Sequence, residues 1–385
     1  MKRTLPLLLL LLFTTALSAA PRIIPKAPSV AASAHILMDF DSGRIITEGN
    51  SHEPLAPASL TKIMTSYAIF SELKQGHITL DDEATISEKA WRTGGSKMFI
   101  EVGKKISVNN LMKGMVISSG NDASVALAEH IGGAEETFAE LMNQYSEILG
   151  MKESHFKNAT GMPAEDHYTS ASDMAILTQA LIRDFPEYYP LYAEKEFIFG
   201  KELKSGKPIK QKNRNKLLWR DESVDGLKTG YTEAAGYCLV ASAQREGMRL
   251  ISVVLGTKST EARAQETQKL LNFGFRFYQT QTIATPSEPL ATPTVWKGTQ
   301  TVLPVGVEQP LSITLGRNQF KELNSEIALD EPLLQAPIEQ GDVVGHVLFS
   351  VEGKTVAEAP LVALEAIEPA GLWKNLVDSV KLWFQ

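Results

Sequence analysis

The stretch LAPASLTKIMT, Leu55 to Thr65, passes from a proline-marked turn into the spacing of a helix. Within it, Ser59 stands three residues before Lys62, so the two side chains share one helical face. A serine hydroxyl is a weak nucleophile until a base removes its proton, and a neutral lysine at this spacing could be that base. The spacing alone is weak evidence, because Ser71–Lys74 and Ser154–Lys157 repeat it.

Two later motifs separate Ser59 from the other serines. ISSGNDAS contains Ser119-Gly120-Asn121, and VDGLKTGYT contains Lys228-Thr229-Gly230. The ordered triple is specific: serine-x-x-lysine at a helix start, serine-x-asparagine between helices and lysine-threonine-glycine on a strand. This set is typical of penicillin-binding proteins and class A β-lactamases.

Each motif suits one step of acyl transfer by a serine. The N-terminus of a helix favours the negative charge that develops near Ser59. Lys62 can act as a base only when neutral, and burial together with a nearby cation, Lys228, would lower its pKa. Ser119 could relay the proton to the leaving amine, and Asn121 could orient Lys62 and the substrate amide.

The third motif suits the recognition of a peptide end. Lys228 and Thr229 offer a cation and a hydroxyl to a substrate carboxylate. Gly230 would let an extended peptide lie against the edge of the strand, where it could add by backbone hydrogen bonds.

Residues 1–20 are predicted to be a signal peptide, with a basic start, a short apolar core and a cleavage site after Ser18, Ala19 or Ala20. The protein is therefore expected to be exported. The rest of the chain is longer than one hydrophobic core usually supports, so two domains are expected. The net charge of -7 argues against a nucleic-acid partner. Cys238 is predicted to lie buried in a strand, and neither a metal site nor a cofactor is expected.

The pattern along the chain predicts an α+β fold. Residues 21–282 alternate helical and strand segments and are predicted to form a catalytic domain with an antiparallel sheet flanked by helices. A segment rich in proline and threonine follows. Residues 283–370 contain short strand-like runs separated by glycine turns, which predicts a small all-β domain without chemistry of its own.

Residues 371–385, GLWKNLVDSVKLWFQ, place leucine, valine, tryptophan and phenylalanine on one helical stripe and polar residues on the other side. A terminal helix packed on its own protein is one interpretation. The two tryptophans, and the lysines on the polar face, favour a helix that lies in a membrane surface. We therefore predict peripheral attachment through this segment.

With these motifs in place, the chain resembles the low-molecular-mass penicillin-binding proteins, which are serine-type D-alanyl-D-alanine carboxypeptidases of the bacterial cell envelope (peptidase S11-like). NRNKLLW and KLLNFGFRFY are further stretches similar to that family. The resemblance implies a serine β-lactamase/transpeptidase-like domain that removes the terminal D-alanine from peptidoglycan pentapeptide stems at the periplasmic face of the inner membrane. It also implies inhibition by β-lactams, which acylate the serine.

The resemblance further implies roles for individual residues. Acylation would occur on Ser59, with an oxyanion hole formed by the backbone N–H groups of Ser59 and Tyr231. Arg263 would help recognise the terminal carboxylate, and Arg214 would lie in a loop on the substrate side. For both arginines a surface salt bridge is the alternative. Well-known members carry histidine where this chain has Tyr231, a change that keeps the backbone donor and alters the shape of the pocket.

Other functions on the same fold remain open at this stage. A β-lactamase of class A needs a glutamate followed four positions later by asparagine, and no glutamate between Asn121 and Lys228 fits. Loss of β-lactams from Ser59 is therefore expected to be slow. An endopeptidase that cuts cross-links would use the same chemistry, and an inactive binding protein of the envelope is disfavoured by the three intact motifs.

Overall fold

The structure is a computed structural model that describes residues 24–201 and 206–384. The predicted signal peptide, residues 1–20, lies outside the described residues. The α-helices of the described part are α1 (Thr61–Lys74), α2 (Glu88–Arg92), α3 (Val108–Ile117), α4 (Asn121–Gly132), α5 (Glu135–Ile148), α6 (Ala171–Asp184), α7 (Leu217–Arg220), α8 (Thr260–Phe277) and α9 (Leu372–Leu382).

The strands fall into a group before α8 and a group after it. The first group is β1 (Ala34–Asp39), β2 (Ile45–Gly49), β3 (Glu83–Thr85), β4 (Lys105–Ser107), β5 (Glu196–Lys201), β6 (Pro208–Lys212), β7 (Val224–Thr232), β8 (Gly236–Arg245) and β9 (Met248–Thr257). The second group is β10 (Tyr278–Ala284), β11 (Val295–Trp296), β12 (Val305–Gly306), β13 (Leu311–Gly316), β14 (Leu323–Leu329), β15 (Leu334–Gln335), β16 (Val343–Val351) and β17 (Lys354–Ala363).

A five-stranded antiparallel sheet in the order β2-β1-β9-β8-β7 forms the centre of the first domain. Its inner strands β1, β9 and β8 are buried on both faces, because successive side chains alternate between two cores. Ile36 and Val253 belong to the core that contains α1, α3, α4 and α6, whereas Leu37 and Leu250 pack with α8. The predicted α+β architecture is confirmed, and so is the buried strand position of Cys238.

Helix α1 lies in the interior of this domain. Its residues 61–70 are all buried, so the helix that follows the serine-lysine turn has no solvent face over this length. Strand β7, which carries the lysine-threonine-glycine motif, is the edge strand of the sheet. The 3₁₀ helix Ala58–Leu60 leads directly into α1 and packs against β7. The nucleophile candidate therefore lies between a buried helix and an open sheet edge.

The second domain is built of strands, as predicted. A four-stranded sheet in the order β12-β17-β16-β14 and the pairs β10-β13 and β11-β15 enclose a separate apolar core around Val347 and Leu361. Polar contacts join it to the first domain: the carboxylate of Asp39 accepts a hydrogen bond from Thr280 Oγ1 at 2.6 Å. The Ser42 and Thr314 hydroxyls also lie 2.6 Å apart.

Helix α9 contacts the second domain through its polar side. Asp378 is buried and accepts a hydrogen bond from the backbone N–H of Lys297 at 2.9 Å, and Lys374 Nζ donates to the carbonyl of Gly298. The apolar stripe faces outward, with Trp373 78% exposed and other large side chains exposed at Leu372, Leu376, Val377, Val380, Trp383 and Phe384. The helix therefore does pack on its own protein, as the alternative interpretation has it, but through its polar side and not through its apolar stripe. No helix in the described part of the chain is both long and apolar enough to cross a bilayer.

Candidate active site

Ser59 lies in a turn that two distant glycines hold in place. A Cβ atom at Gly161 would come within 1.7 Å of the Ala58 carbonyl oxygen, and Gly161 has a φ of +82° that favours glycine. On the opposite side, a Cβ at Gly230 would lie 3.2 Å from both Ala58 Cβ and Pro57 O. Gly230 was expected to make room for substrate. In the structure it also makes room for the turn that carries Ser59.

Lys62 is directed at Ser59 by two carbonyl oxygens. Its Nζ lies 3.2 Å from Ser59 Oγ and donates hydrogen bonds to Asn121 Oδ1 at 2.7 Å and to the Thr160 carbonyl at 2.6 Å. A neutral amine has two hydrogens, so these two acceptors leave its lone pair for the serine hydroxyl. Lys62 is 1% exposed, and its geometry fits a general base.

Burial, with the positive charge of Arg214 as a second cause, lowers the pKa of Lys62 to about 7. We expected Lys228 to be the neighbouring cation that does this, whereas the cation with the largest effect on the pKa of Lys62 is Arg214. The pKa of Lys228 is itself lowered well below its usual range, first by burial and then by the charge of Lys62. Two lysines so close in a dry site disfavour each other's charged form.

Ser119 and Asn121 are placed by a tight turn between α3 and α4. Ser119 has a φ of +61°, and the side-chain amide of Asn121 donates to the Gly94 carbonyl at 2.8 Å. Lys228 Nζ donates to Ser119 Oγ at 2.9 Å, which connects the strand motif to the turn. The three motifs thus meet through two short contacts, Lys62–Asn121 and Lys228–Ser119.

The remaining predicted residues lie around the same cleft. Arg263 is 6% exposed and donates to the carbonyl of Gly230 at 3.0 Å, and burial lowers its pKa to about 10. Arg214 lies on the cleft wall. Within residues 24–201 and 206–384 neither arginine forms an ion pair, so the surface salt bridge is wrong for both. Tyr231 is half exposed and its ring stacks on Tyr237 at 4.2 Å.

The cleft has a volume of about 670 Å³ and an unusual charge. None of the described residues that line it is Asp or Glu, although the chain as a whole carries a net charge of -7. Within the described residues, no group of three or more His, Cys, Asp and Glu side chains could hold a metal ion. The lining comprises Ser59, Gly95, Ser96, Ser119, Asn121, Thr160, Gly161, Met162, Lys212, Asn213, Arg214, Lys216, Thr229, Gly230, Tyr231, Thr232, Tyr237, Thr260 and Arg263.

Two contributors to the site were missed from the sequence. Thr160 acts through its main-chain carbonyl, which no side-chain motif can reveal. The carboxylate of Asp122 accepts hydrogen bonds from the backbone N–H groups of Met98, Phe99 and Ile100 at 2.8, 2.9 and 3.3 Å, and so fixes the loop over the cleft. Its position in the first turn of α4, directly after Asn121, was the available signal.

Comparison with known proteins identifies the family. The family described as D-alanyl-D-alanine carboxypeptidase matches residues 22–259. The chain belongs to the D-alanyl-D-alanine carboxypeptidase family. Residues 278–369 match a second family, the C-terminal domain of penicillin-binding protein 5. The predicted membership is confirmed for both parts.

Individual relatives cover almost the whole chain. D-alanyl-D-alanine carboxypeptidase DacC of Escherichia coli K12 is 44% identical over 97% of this chain and 94% of its own length. The crystal structure of penicillin-binding protein 5 from Haemophilus influenzae has a TM-score of 0.85 and 40% identity, over 89% of this chain and 99% of that chain. Penicillin-binding protein D2 from Listeria monocytogenes, in an ampicillin-bound form, is 28% identical with a TM-score of 0.57, over 64% of this chain and 98% of that chain.

Proposed function

We propose that this protein removes the terminal D-alanine from peptidoglycan stem pentapeptides through an acyl-enzyme on Ser59. The observation that carries the proposal is the position of Lys62, whose buried amine lies 3.2 Å from Ser59 Oγ with its other hydrogen-bonding directions occupied. A serine with a desolvated lysine base is equipped for acyl transfer without a histidine or a metal ion.

Acylation begins with transfer of the Ser59 proton to the neutral amine of Lys62. The serine oxygen attacks the carbonyl carbon of the penultimate D-alanine, and the oxyanion is stabilised by the backbone N–H groups of Ser59 and Tyr231. The proton then passes to the leaving amine through Ser119, which is 2.9 Å from Lys228. The C–N bond breaks and D-alanine leaves. A water molecule activated by Lys62 hydrolyses the ester and frees Ser59.

Recognition of the substrate depends on its terminal carboxylate. Lys228 and Thr229 present a cation and a hydroxyl on the edge strand β7, and Arg263 of helix α8 presents a second cation beside the cleft that contains Ser59. Both cations are buried with lowered pKa values, so a bound carboxylate would favour their charged forms. The free edge of β7 offers backbone groups along which an extended peptide end can lie.

The same site is proposed to react with β-lactams, because the ampicillin-bound relative has the same fold. The absence of carboxylates from the described cleft lining removes the group that activates the deacylating water in class A β-lactamases. The acyl-enzyme is therefore expected to persist, which favours an inhibited carboxypeptidase over a β-lactamase.

We also propose that the enzyme is exported, that it works at the periplasmic face of the inner membrane and that residues 371–385 attach it there. The outward apolar stripe of α9 supports attachment, because a helix held by its polar side leaves tryptophan and leucine side chains for an interface. Attachment by so few apolar side chains would be peripheral and reversible.

The test is release of D-alanine from a diacetylated Lys-D-Ala-D-Ala tripeptide, combined with labelling by a fluorescent penicillin. Ser59→Ala should abolish both. Ser71→Ala is the matched control, because Ser71 also stands three residues before a lysine, and it should retain both. Labelling of Ser59→Ala at the rate of the unchanged protein would refute the nucleophile. Labelling without any release of D-alanine would refute the carboxypeptidase activity.

A further inference from the structure

Three cations occupy alternate positions on one wall of the cleft. Lys212, Arg214 and Lys216 line it, whereas the two asparagines between them, Asn213 and Asn215, are buried. The segment follows strand β6, so its side chains continue to alternate between the interior and the cleft. Lys212 and Lys216 belong to none of the three motifs and have no part in the acyl transfer described above.

The two asparagines fix this alternation. The side-chain amide of Asn213 donates to the carbonyls of Tyr192 at 3.3 Å and Glu194 at 3.1 Å. The side-chain amide of Asn215 donates to the carbonyl of Gly226 at 2.9 Å, which lies two residues before Lys228 in strand β7. The cationic wall is therefore held at a set position relative to the strand that binds the peptide end.

The two lysines differ in their surroundings. Lys216 Nζ lies 3.2 Å from Glu261, whose two carboxylate oxygens also accept hydrogen bonds from Arg220 at 2.7 and 2.8 Å. Lys212 is exposed, and within residues 24–201 and 206–384 it forms no ion pair, because Glu196, which lies opposite it in strand β5, pairs with Lys210 at 2.5 Å. Lys212 thus offers an uncompensated charge to the cleft, whereas Glu261 compensates much of the charge of Lys216.

This wall is suited to bind an anion other than the terminal carboxylate of the peptide. The terminal carboxylate already has Lys228, Thr229 and Arg263, and the described lining contains no acidic side chain, so the charge of Lys212 is not neutralised within the cleft. A stem peptide with an acidic residue on the amino-terminal side of its D-alanyl-D-alanine end would present a second carboxylate when that residue is free, and none when it is amidated. Long-range attraction to a free carboxylate would favour binding of one form over the other.

We propose that Lys212, with Lys216 as a weaker second contact, binds a free carboxylate of the stem peptide on the amino-terminal side of the scissile bond. This inference rests on the proposed function and names its substrate class. The enzyme then selects stem peptides whose acidic residue is not amidated, and Arg214 between the lysines adds to the same positive field.

The experiment compares two synthetic pentapeptides that differ only in whether the D-glutamyl α-carboxylate is free or amidated. The measured quantity is the ratio of their kcat/KM values for release of D-alanine. We expect the unchanged protein to prefer the free carboxylate by about tenfold at low salt, and the preference to shrink towards unity at about 0.5 M salt. Most of the effect should be in KM.

Charge-removing variants locate the effect. Lys212→Gln should reduce the ratio to about twofold, Lys216→Gln should reduce it less, and Lys212→Arg should preserve it. Lys354→Gln removes the same charge from an exposed position in the second domain, away from the cleft lining, and should leave the ratio unchanged.

The outcomes are distinguishable. A ratio near one in the unchanged protein, or an undiminished ratio in Lys212→Gln, would overturn the assignment of the cationic wall while D-alanine release upholds the proposed function. Failure to release D-alanine from either pentapeptide and from the diacetylated tripeptide would overturn both. Equal loss in Lys212→Gln and Lys354→Gln would show a general charge effect and would also overturn it.

Discussion

The rate at which a β-lactam acylates Ser59 should follow the ionisation of Lys62. An ordinary lysine with a pKa of about 10.4 would be neutral in roughly one molecule in 2,500 at pH 7. With its pKa lowered to about 7, Lys62 is neutral in roughly half of the molecules at that pH. Because only the neutral amine can accept the serine proton, the second-order acylation rate should double at about pH 8. At about pH 5.5 it should fall to roughly one fifteenth of its pH 7 value.

The assay is stopped-flow or quenched labelling with a fluorescent penicillin, between pH 5 and 9, at penicillin concentrations far below saturation. The rate under these conditions reports the ionisation of the free enzyme. Arg214→Gln removes a positive charge that lowers the pKa of Lys62, so its acid limb should move to higher pH. An acylation rate independent of pH over this range, or one that rises only above about pH 9 in the unchanged protein, would refute Lys62 as the base. An acid limb unmoved by Arg214→Gln would refute the electrostatic part of the reasoning.

Three further results are expected. Gly161→Ala should reduce the free energy of unfolding, measured in urea, by about 2 kcal/mol or more, because its Cβ would strike the Ala58 carbonyl. Gly76→Ala, at a similar positive φ but in open space, should lose only about 1 kcal/mol. Equal losses in the two variants would contradict the packing of Gly161 against the turn that carries Ser59. The penicilloyl-enzyme isolated from excess penicillin should lose its label over minutes or longer, and turnover many times per second would contradict the lack of a deacylating carboxylate. Leu376→Asp should weaken co-sedimentation with anionic vesicles, whereas Ser379→Ala on the polar side should not, and equal binding by both variants would argue against the membrane face.

The sequence was most informative where one residue type performs one physical task. The strand-like segments now seen as β8 and β9 predicted the antiparallel sheet, and the helical spacing after Ser59 predicted α1, because burial imposes such patterns on the chain. The ordered motifs likewise predicted that Lys62 and Lys228 lie in one cluster. These features can be recognised in the sequence because the residues within any one motif, strand or helix lie close together in the chain.

What the sequence could not predict depends on contacts between distant segments. The carbonyl of Thr160 accepts a hydrogen bond from Lys62, which lies 98 positions away in the chain. Because every residue has a backbone carbonyl, the sequence does not distinguish this one from the others. Gly161 packs on Ala58 for a steric reason that appears only when the two loops meet. The larger effect of Arg214 on the pKa of Lys62 could not be predicted for the same reason, because electrostatic interactions depend on distance in space and not on position in the chain.

The attachment of α9 by its buried Asp378 has a consequence for how the protein would meet a bilayer. A tail on a flexible tether would allow the catalytic cleft to sample every tilt and height. Here the helix is pinned to the second domain, which is itself joined to the first through Asp39 and Thr280. The fold would then fix the distance between lipid headgroups and Ser59. Only stem peptides within a narrow layer of the cell wall would be able to bind in the cleft.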